Sequence, residues 1–287
     1  MAGSGLIGIK RRIKSVTNTS KITRAMGLVA TSKFRKAKEA LDNNQHYSKV
    51  FNEVMFDVLM RYEGESMYKD GNGSKDILYI VLTSDSGLCG SFNSNIINKA
   101  VEAIKKENNG NSIIMVVGAK GISYFNRFNY EAELKYVGIP DIPSLGTAND
   151  FAMVAWHMFK NKEVGQVKVV YAHFISQAKQ EILVEQLLPL NYDNNLKKEN
   201  TSDYIVVEPK IDVFFKEIIP LYMREKLLNC LLQSKVSEQS TRMTAMDGAT
   251  KNANKLLDEL KLQFNRLRQS AITQEISEIV GGAEAQK

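Results

Sequence analysis

The two ends of the chain are nearly free of residues that interrupt helices, and this constrains the fold more than any other feature. All five prolines lie between Pro140 and Pro220, and glycine is absent from residues 28–63 and rare after residue 166. Proline and glycine are the two residues that destabilise a helix interior most. The sequence therefore predicts a long helix at each end of the chain.

Both end segments also carry a seam of apolar and small residues with the 3.5-residue period that is typical of coiled coils. The first seam consists of Ile9, Ile13, Val16, Ser20, Thr23, Gly27, Ala30, Phe34, Ala37 and Leu41. The second seam consists of Met246, Ala249, Ala253, Leu256, Leu260, Phe264, Leu267 and Ala271. An unbroken helix from Lys210 to Val280 would be roughly 100 Å long, which no globular domain of this size encloses. We therefore expect the two helices to pair as a rod that projects from the rest of the protein.

Between residues 75 and 208 the pattern changes. Short β-branched runs alternate with helix-like segments, which predicts an α/β domain with a mostly parallel sheet. The last two runs, residues 167–174 and 182–190, are too close for a crossover helix, so we expect an antiparallel hairpin at one edge. The polar residues 191–203 are predicted to form an exposed linker. The predicted division is therefore residues 1–74 with 209–287 as the rod, and residues 75–208 as the α/β domain.

The positive charge of the chain is concentrated in the first helix. The net charge is +6, yet residues 1–38 contain ten basic residues and no Asp or Glu, so the remainder is mildly acidic. Such a helix is expected to face a negatively charged surface, for which nucleic acid, anionic lipid and an acidic protein are candidates. No apolar run approaches the roughly 18 residues that span a membrane.

The tip of the last helix, AITQEISEIV, is apolar on more than one face. Four residues would stand exposed there unless another molecule surrounds them. They are Ile272, Ile276, Ile279 and Val280. We expect this tip to sit in a socket.

The stretch LTSDSGLCGSFN, residues 82–93, resembles an enzymatic turn but lacks the residues that such a turn needs. No lysine follows Gly87, as a phosphate loop requires, and Ser91 occupies the position where a nucleophile elbow has glycine. None of the three histidines shows a motif that connects it to Cys89 as a base. With only two cysteines and no cluster of ligand spacing, we expect no catalytic, cofactor-binding or metal-ligating residues.

The turn is instead predicted to be structural. Gly87 and Gly90 would permit the change of direction, and Ser86 or Ser91 would cap the following helix. Asp85 would accept hydrogen bonds from nearby turn amides.

Three stretches together resemble the gamma subunit of the rotary ATP synthases, of the bacterial type. They are IKRRIKSVTNTSKITRAMGLVATSKFRKA, SDSGLCGSFN and NRLRQSAITQEISEIVGGA. The first is similar to the family pattern I-x-x-R-I-x-S-V-x-N-T-x-K-I-T-x-A-M, the second to S-D-x-G-L-C-G-x-x-N, and the third to N-x-x-R-Q-x-x-I-T-x-E-x-x-E-I-V-x-G-A. The resemblance runs almost from end to end of the chain.

The resemblance implies a fold, a function and a set of partners. The terminal helices would form an antiparallel coiled-coil shaft, beside a Rossmann-like α/β domain. The tip would reach into a ring of alpha and beta subunits, while the α/β domain would contact the epsilon subunit and the c ring. The shaft would couple ion flow to the catalytic sites on beta, without being catalytic itself. Its attachment to the cytoplasmic face of the cell membrane would be peripheral, through these partners.

The resemblance also implies which residues contact the ring and couple rotation to catalysis. These are Met26, Arg242, Arg268, Gln269, Thr273, Glu275 and Glu278. We hypothesise that Arg268 and Gln269 form a transient catch with the ring.

Two other functions are open to a chain with these features. A nucleic-acid-binding coiled-coil protein would also use an acid-free basic helix. Against it, the helix has only Phe34 before Tyr47 to stack on bases, and the apolar tip would have no role. An enzyme that uses Cys89 or a nucleotide in the α/β domain is disfavoured by the incomplete motifs.

Overall fold

The computed structural model of the protein describes residues 2–62, 64–107, 110–190 and 211–284. Its contacts divide the chain into two compact units. The first contains residues 1–30 and 242–287, and the second contains residues 31–241. Residues 31–61 and 211–241, which the sequence assigned to the rod, therefore belong to the same unit as the sheet. The predicted division into a rod of residues 1–74 and 209–287 and an α/β domain of residues 75–208 therefore stays a prediction.

The described residues form helices and strands in the order expected for an α/β domain between two long helices. The helices are α1 (Ala2–Arg61), α2 (Met67–Asp70), α3 (Phe92–Lys106), α4 (Ala119–Arg127), α5 (Leu145–Lys160) and α6 (Ile211–Glu284). The strands are β1 (Ile77–Leu82), β2 (Ser112–Val117), β3 (Leu134–Tyr136), β4 (Gln166–Phe174) and β5 (Gln180–Leu188).

The two long terminal helices are confirmed. Helix α1 contains 60 residues and α6 contains 74. Pro220 lies inside α6, where it removes one backbone donor without ending the helix. The predicted start at Lys210 and the predicted linker 191–203 lie outside the described residues.

The sheet has the strand order β3-β2-β1-β4-β5. All neighbouring pairs are parallel except β4 and β5, which form an antiparallel hairpin at one edge. The mostly parallel sheet and the edge hairpin are thus confirmed. The central strand β1 is buried along its whole length, as expected for a parallel strand covered on both faces.

In the second unit, helices cover the sheet on both sides. Helix α5 and the parts of α1 and α6 within this unit pack on one face, where Leu78, Ile80 and Leu82 point. Helices α3 and α4 pack on the other face, against Tyr79 and Val81. The alternation along β1 therefore divides the interior into two apolar clusters.

A polar cluster joins this part of α6 to the hairpin. The ammonium of Lys226 lies 2.7 Å from one carboxylate oxygen of Glu185. The hydroxyl of Tyr171 donates a 3.0 Å hydrogen bond to the other oxygen. Burial is the largest single effect on the pKa of Lys226 and lowers it, but Glu185, Tyr222 and Cys230 together raise it by more, so that the pKa lies above the ordinary lysine value of 10.5. The groups around Lys226 therefore favour its charged form in spite of the burial.

We expect the variant Lys226→Met to lower the free energy of unfolding by about 1–3 kcal/mol, because Glu185 keeps a half-buried charge without its cation. The pKa of Lys226 is raised on folding, so its contribution is complete below pH 10.5 and is lost as the pH rises through the folded pKa. Thermal unfolding at pH 8 and in strong alkali should show the difference between variant and wild type shrinking with pH.

The matched control is Lys99→Met, which removes the exposed ion pair of Lys99 with Glu102. Exposed pairs contribute only about 0.2–1 kcal/mol. An equal loss of stability in the two variants would contradict the anchoring role of Lys226.

Candidate functional site

In the first unit, α1 and α6 lie side by side and run antiparallel. The hydroxyl of Ser20 donates a 2.8 Å hydrogen bond to the amide oxygen of Asn254. The hydroxyls of Thr23 and Thr250 are also 2.8 Å apart. Residue numbers thus rise along one helix as they fall along the other. The antiparallel pairing that the family resemblance implied is confirmed for this unit.

The contact between the two helices follows the predicted seams. Met246, Ala253 and Leu260 are 4%, 8% and 4% exposed, whereas most residues between them are open to solvent. A Cβ atom added to Gly27 would lie 3.5 Å from the Cβ of Met246. The backbone of α1 therefore approaches α6 closely at Gly27, which small seam residues allow.

Helix α6 extends beyond the end of its partner. Continuing the observed register brings the start of α1 level with Ala271, while α6 continues to Glu284. Residues 272–284 therefore have no described residue of α1 opposite them. We call this segment the tip.

The tip exposes an apolar stripe. Ile272, Ile276, Ile279 and Val280 are 48%, 56%, 72% and 53% exposed. At 3.6 residues per turn these four side chains fall within an arc of about 100°. That arc lies roughly 130° around the helix from the line of the seam. The stripe is thus a separate surface on one face of the helix. The predicted exposure of these four residues is confirmed, whereas the interpretation that the tip is apolar on more than one face is wrong for them.

Five of the predicted contact residues lie on or just before the tip, and all five are exposed. They are Arg268, Gln269, Thr273, Glu275 and Glu278. Gln269 falls within the arc of the apolar stripe, at its base, and Arg268 lies about 20° outside its edge. The Thr273 hydroxyl donates to the carbonyl oxygen of Gln269 over 3.0 Å, which holds its side chain along the helix. The structure therefore groups these five within roughly 15 Å of one helix.

Met26 lies apart from this group. It is half-buried on α1, at a level roughly 30 Å along the rod from Arg268. Ile22 and Val29, 59% and 55% exposed, flank it with the i, i+4, i+7 spacing of one helix face. Met26 therefore belongs to a second apolar surface. The same spacing was visible in the sequence.

Arg242 differs from the other predicted contact residues. Its side chain is only 6% exposed and it has polar or ionic partners within the chain. Sequence pattern alone gave no sign of this burial. Its contact with a ring stays a prediction, and an indirect role through its neighbours fits its burial better.

The basic residues that α1 contributes to the first unit form an exposed positive surface, which we call the basic face of α1. They are Lys10, Arg11, Arg12, Lys14, Lys21 and Arg24, and all six are open to solvent. None of the six forms an ion pair with another described residue. Such a surface attracts an acidic partner over a distance set by the salt concentration.

The turn that carries Cys89 is a structural feature of the second unit. Cys89 is 2% exposed, and the side-chain amide of Asn93 donates to its sulfur over 3.2 Å. The same amide group binds Ser84 through its oxygen and nitrogen. Positive φ angles occur at Leu88 and Gly90, at 63° and 57°. The expected role of Gly90 is confirmed, whereas Leu88 rather than Gly87 takes the second left-handed position.

Of the two serines predicted to cap α3, Ser91 occupies the N-cap position. The capping hydrogen bond itself is absent, because its side chain accepts no hydrogen bond from the backbone of the first turn. It accepts instead from the side chain of Asn95, one turn along the helix. The left-handed residues of the turn direct the chain into α3 without a side-chain cap.

Asp85 holds the carboxyl ends of three strands together. One of its oxygens accepts from the backbone N–H of Ala119, which begins α4 after β2, over 3.0 Å. The other accepts from the N–H groups of Gly138 and Ile139, in the loop after β3, over 3.1 Å each. The prediction that Asp85 binds turn amides is confirmed, and two of its partners belong to a loop that is distant in sequence.

Open α/β sheets usually bind ligands in a crevice at the carboxyl ends of the strands, at the point where the strand order reverses. In this protein, α6 fills that crevice. Here that point lies between β1 and β4. The Ser237 hydroxyl donates to the carbonyl oxygen of Ala172 in β4 over 3.1 Å. The Ser234 hydroxyl lies 3.5 Å from the carbonyl oxygen of Leu82 in β1. Side chains of the protein itself therefore occupy the crevice.

Two features that would indicate other kinds of site are absent from the described residues. No group of three or more His, Cys, Asp and Glu side chains there is arranged to hold a metal ion. In the same parts of the chain, no helix combines the length and apolar composition needed to cross a membrane. The surfaces that the structure does present are the tip, the stripe around Met26 and the basic face of α1.

Comparisons with known proteins agree with the resemblance found in the sequence. The family model described as ATP synthase matches residues 5–286. The ATP synthase gamma chain of Clostridium kluyveri (strain NBRC 12016) is 50% identical over 288 residues, covering 100% of both chains. The ATP synthase gamma chain of Clostridium botulinum (strain Okra / Type B1) is 51% identical over 289 residues, again covering 100% of both.

Solved structures with a similar fold come from mitochondrial ATP synthases. A chain of the central stalk and c-ring structure from Tetrahymena thermophila is 28% identical, with a TM-score of 0.62, covering 79% of this chain and 99% of that one. A chain of the Euglena gracilis enzyme is 16% identical, with a TM-score of 0.71, covering 99% and 95%. The second likeness supports the fold alone.

The matches show that the chain belongs to a family of ATP synthase subunits. Because its relatives at about 50% identity over their full length are gamma chains, the chain belongs to the ATP synthase gamma chain family. The predicted fold class, an α/β domain with a mostly parallel sheet and two long terminal helices, is confirmed. The nucleic-acid-binding alternative finds no support among these matches.

We expect Asp85→Ala to lower the free energy of unfolding by about 1–3 kcal/mol, because three backbone N–H groups lose a charged acceptor. Chemical denaturation followed by circular dichroism would measure the loss. Asp85→Asn is the matched control, since it keeps one acceptor oxygen, and it should cost less. Equal and negligible effects of both substitutions would show that Asp85 does not hold the strand ends.

Proposed function

We propose that this chain is the central rotor shaft of a membrane-associated ATP synthase. In this role it couples ion flow through a c ring to conformational cycling of the catalytic sites on the beta subunits, for ATP synthesis or hydrolysis. The proposal rests on the match of the whole chain to gamma chains. It is supported by the tip of α6, which extends beyond α1 and exposes three isoleucines and a valine.

The tip has the properties that a rotating contact needs. The tip exposes four apolar side chains on one face, and their contact with water is unfavourable in free energy. An apolar socket around the tip would remove that contact with water. Because the stripe covers about 100° of the helix, the tip is asymmetric. A turning asymmetric tip presents a different face in succession to each catalytic site of the ring. The ring of alpha and beta subunits is the socket that we propose.

Polar contacts around the tip should be weak enough to slide. Exposed ion pairs contribute about 0.2–1 kcal/mol, whereas a buried hot spot of about 2 kcal/mol or more would act as a latch. The exposed positions Arg268, Gln269 and Glu275 fit the weak class. We assign Arg268 and Gln269 to a transient catch, and Thr273, Glu275 and Glu278 to contacts around it.

The surfaces further along α1 fit the same role. Met26, with Ile22 and Val29, would meet a loop of the beta subunit, and the exposed basic face would follow carboxylates on the surrounding ring. Long-range attraction of this kind follows a turning surface without fixing it. Arg242, being buried, would position α6 for these contacts.

The remaining assignments follow from membership of the gamma chain family. The α/β domain, residues 75–208, would bind the c ring and the epsilon subunit, while residues 1–74 and 209–287 would serve as the shaft. The chain would carry no catalytic residue and no cofactor, since nucleotide chemistry belongs to beta. It would reach the cytoplasmic face of the cell membrane as a peripheral subunit, through its partners. Nucleic acid would not be a partner.

A purification experiment tests the proposal as a whole. The tagged chain is isolated at native abundance, with nuclease and about 0.5 M salt in the wash, because that salt screens surface attraction to phosphates. We expect a large complex of fixed stoichiometry with Mg-ATPase activity. Recovery of the chain alone, once nucleic acid is removed, would contradict the rotor function and favour a phosphate-binding role for α1.

Replacing both Arg268 and Gln269 with Ala should reduce the coupled ATPase of the assembled complex about two- to tenfold, as expected for loss of contacts worth about 1 kcal/mol together. Gln263→Ala with Arg266→Ala is the matched control, because both residues are exposed on α6 outside the arc of the stripe. Activity and yield that match the wild type in the first variant would contradict the catch.

A further inference from the structure

One segment of α6 is buried on every side although much of it is polar. Residues 230–240 are all shielded from solvent. The polar members are Gln233, Ser234, Lys235, Ser237, Glu238, Gln239 and Ser240, each 7% exposed or less. A helix that is polar all round normally faces water. In the interior its side chains need partners of their own.

Several of these partners are main-chain atoms of the sheet. Besides the two serines that face Leu82 and Ala172, the side-chain oxygen of Gln233 accepts a 3.0 Å hydrogen bond from the backbone N–H of Phe174. The hydroxyl of Ser240 donates over 3.1 Å to the carbonyl oxygen of Gln177, in the turn that follows β4. The bonds thus extend over two turns of α6 and reach the ends of β1 and β4.

Apolar residues of this segment of α6, such as Leu232 and Val236, belong to the same buried cluster as Phe34 of α1. The neighbouring parts of α1 are themselves tied to the sheet and its loops. The ring of Phe34 in α1 packs against that of Phe174, with centroids 5.7 Å apart. Lys33 of α1 forms a 3.0 Å ion pair with Asp141, in the loop between β3 and α5. A cavity of only about 10 Å³ remains between Ile139 of that loop and α6. We call the strand ends, this loop and residues 33–34 together the collar.

The bonds to the collar fix α6 in one position. Apolar contacts have no preferred direction and tolerate a small rotation or shift of a helix. A hydrogen bond to a main-chain atom fails once its donor and acceptor are misaligned. Rotating α6 by one residue would place Val236 where Ser237 meets the carbonyl oxygen of Ala172. It would also place Leu232 where Gln233 meets the N–H of Phe174. The buried polar groups would then lack partners.

We propose that Gln233, Ser234 and Ser237 act as a register lock, by which we mean that their hydrogen bonds hold α6 in one rotational position against β1 and β4. Turning force would pass between the sheet and α6 through these bonds. The inference rests on the proposed rotor function and adds the place where force enters the helix. Because α6 is continuous from Ile211 to Glu284, rotation that is fixed here is carried along the helix. The three residues are positioning residues, far in sequence from the tip that they turn.

The test uses the assembled complex with its catalytic ring immobilised and a bead attached to the α/β unit. The variant combines Gln233→Met, Ser234→Ala and Ser237→Ala. We expect MgATP hydrolysis without load to stay within twofold of wild type, and rotation of large beads to slow or slip at least threefold more than in wild type. Gln233→Glu, which keeps an acceptor for Phe174, should retain more loaded rotation than Gln233→Met.

Thr241→Ala is the matched control, because the Thr241 hydroxyl bonds within α6, to Ser237 and Glu238, and not to the sheet. Single variants Ser237→Ala and Gln233→Met are measured in parallel, so that failed assembly of the triple variant leaves the test intact. Loaded rotation equal to wild type in the singles and the triple would overturn the lock. If the wild-type complex does not rotate at all, the proposed function fails instead.

Discussion

The surfaces that the first unit presents depend on the antiparallel pairing of α1 with α6. Small and polar seam residues bring the helices close, as at Gly27 and Met246, and cross-helix bonds such as Thr23 to Thr250 set the register. That register determines where α1 runs out along α6. The exposed tip is a direct consequence of the unequal reach of the two helices, and its isoleucines are the feature that a surrounding ring would bury.

The tip of α6 and its buried residues 230–240 make contacts of opposite kinds. At the tip, exposed polar groups and an apolar stripe favour contacts that break and reform at small cost. In residues 230–240 the same helix is enclosed, and its polar side chains bind main-chain atoms. A rotor needs both properties, because force has to enter the shaft without slip and leave it without a permanent bond. The structure supplies them on one continuous helix.

Much of this architecture could be predicted from the sequence, for identifiable reasons. The seams, the missing helix breakers and the β-branched runs are periodic signals, and they located both long helices and most of the sheet. Strand β3 has only three residues, too few for periodicity to detect. The left-handed Leu88 and the uncapped Ser91 depend on loop packing that no local propensity encodes. Burial of Arg242 and of the polar residues 233–240 follows from tertiary neighbours, which the sequence of a polar helix does not reveal.

In the proposed function, this chain turns as a shaft inside a catalytic ring. The most direct measurement fixes the ring to a surface, attaches a small probe to the α/β unit of this chain, and follows the probe during MgATP hydrolysis. We predict rotation in one direction, with one dwell position per turn for each catalytic site of the ring. Sustained hydrolysis by the intact complex with a stationary probe would contradict it.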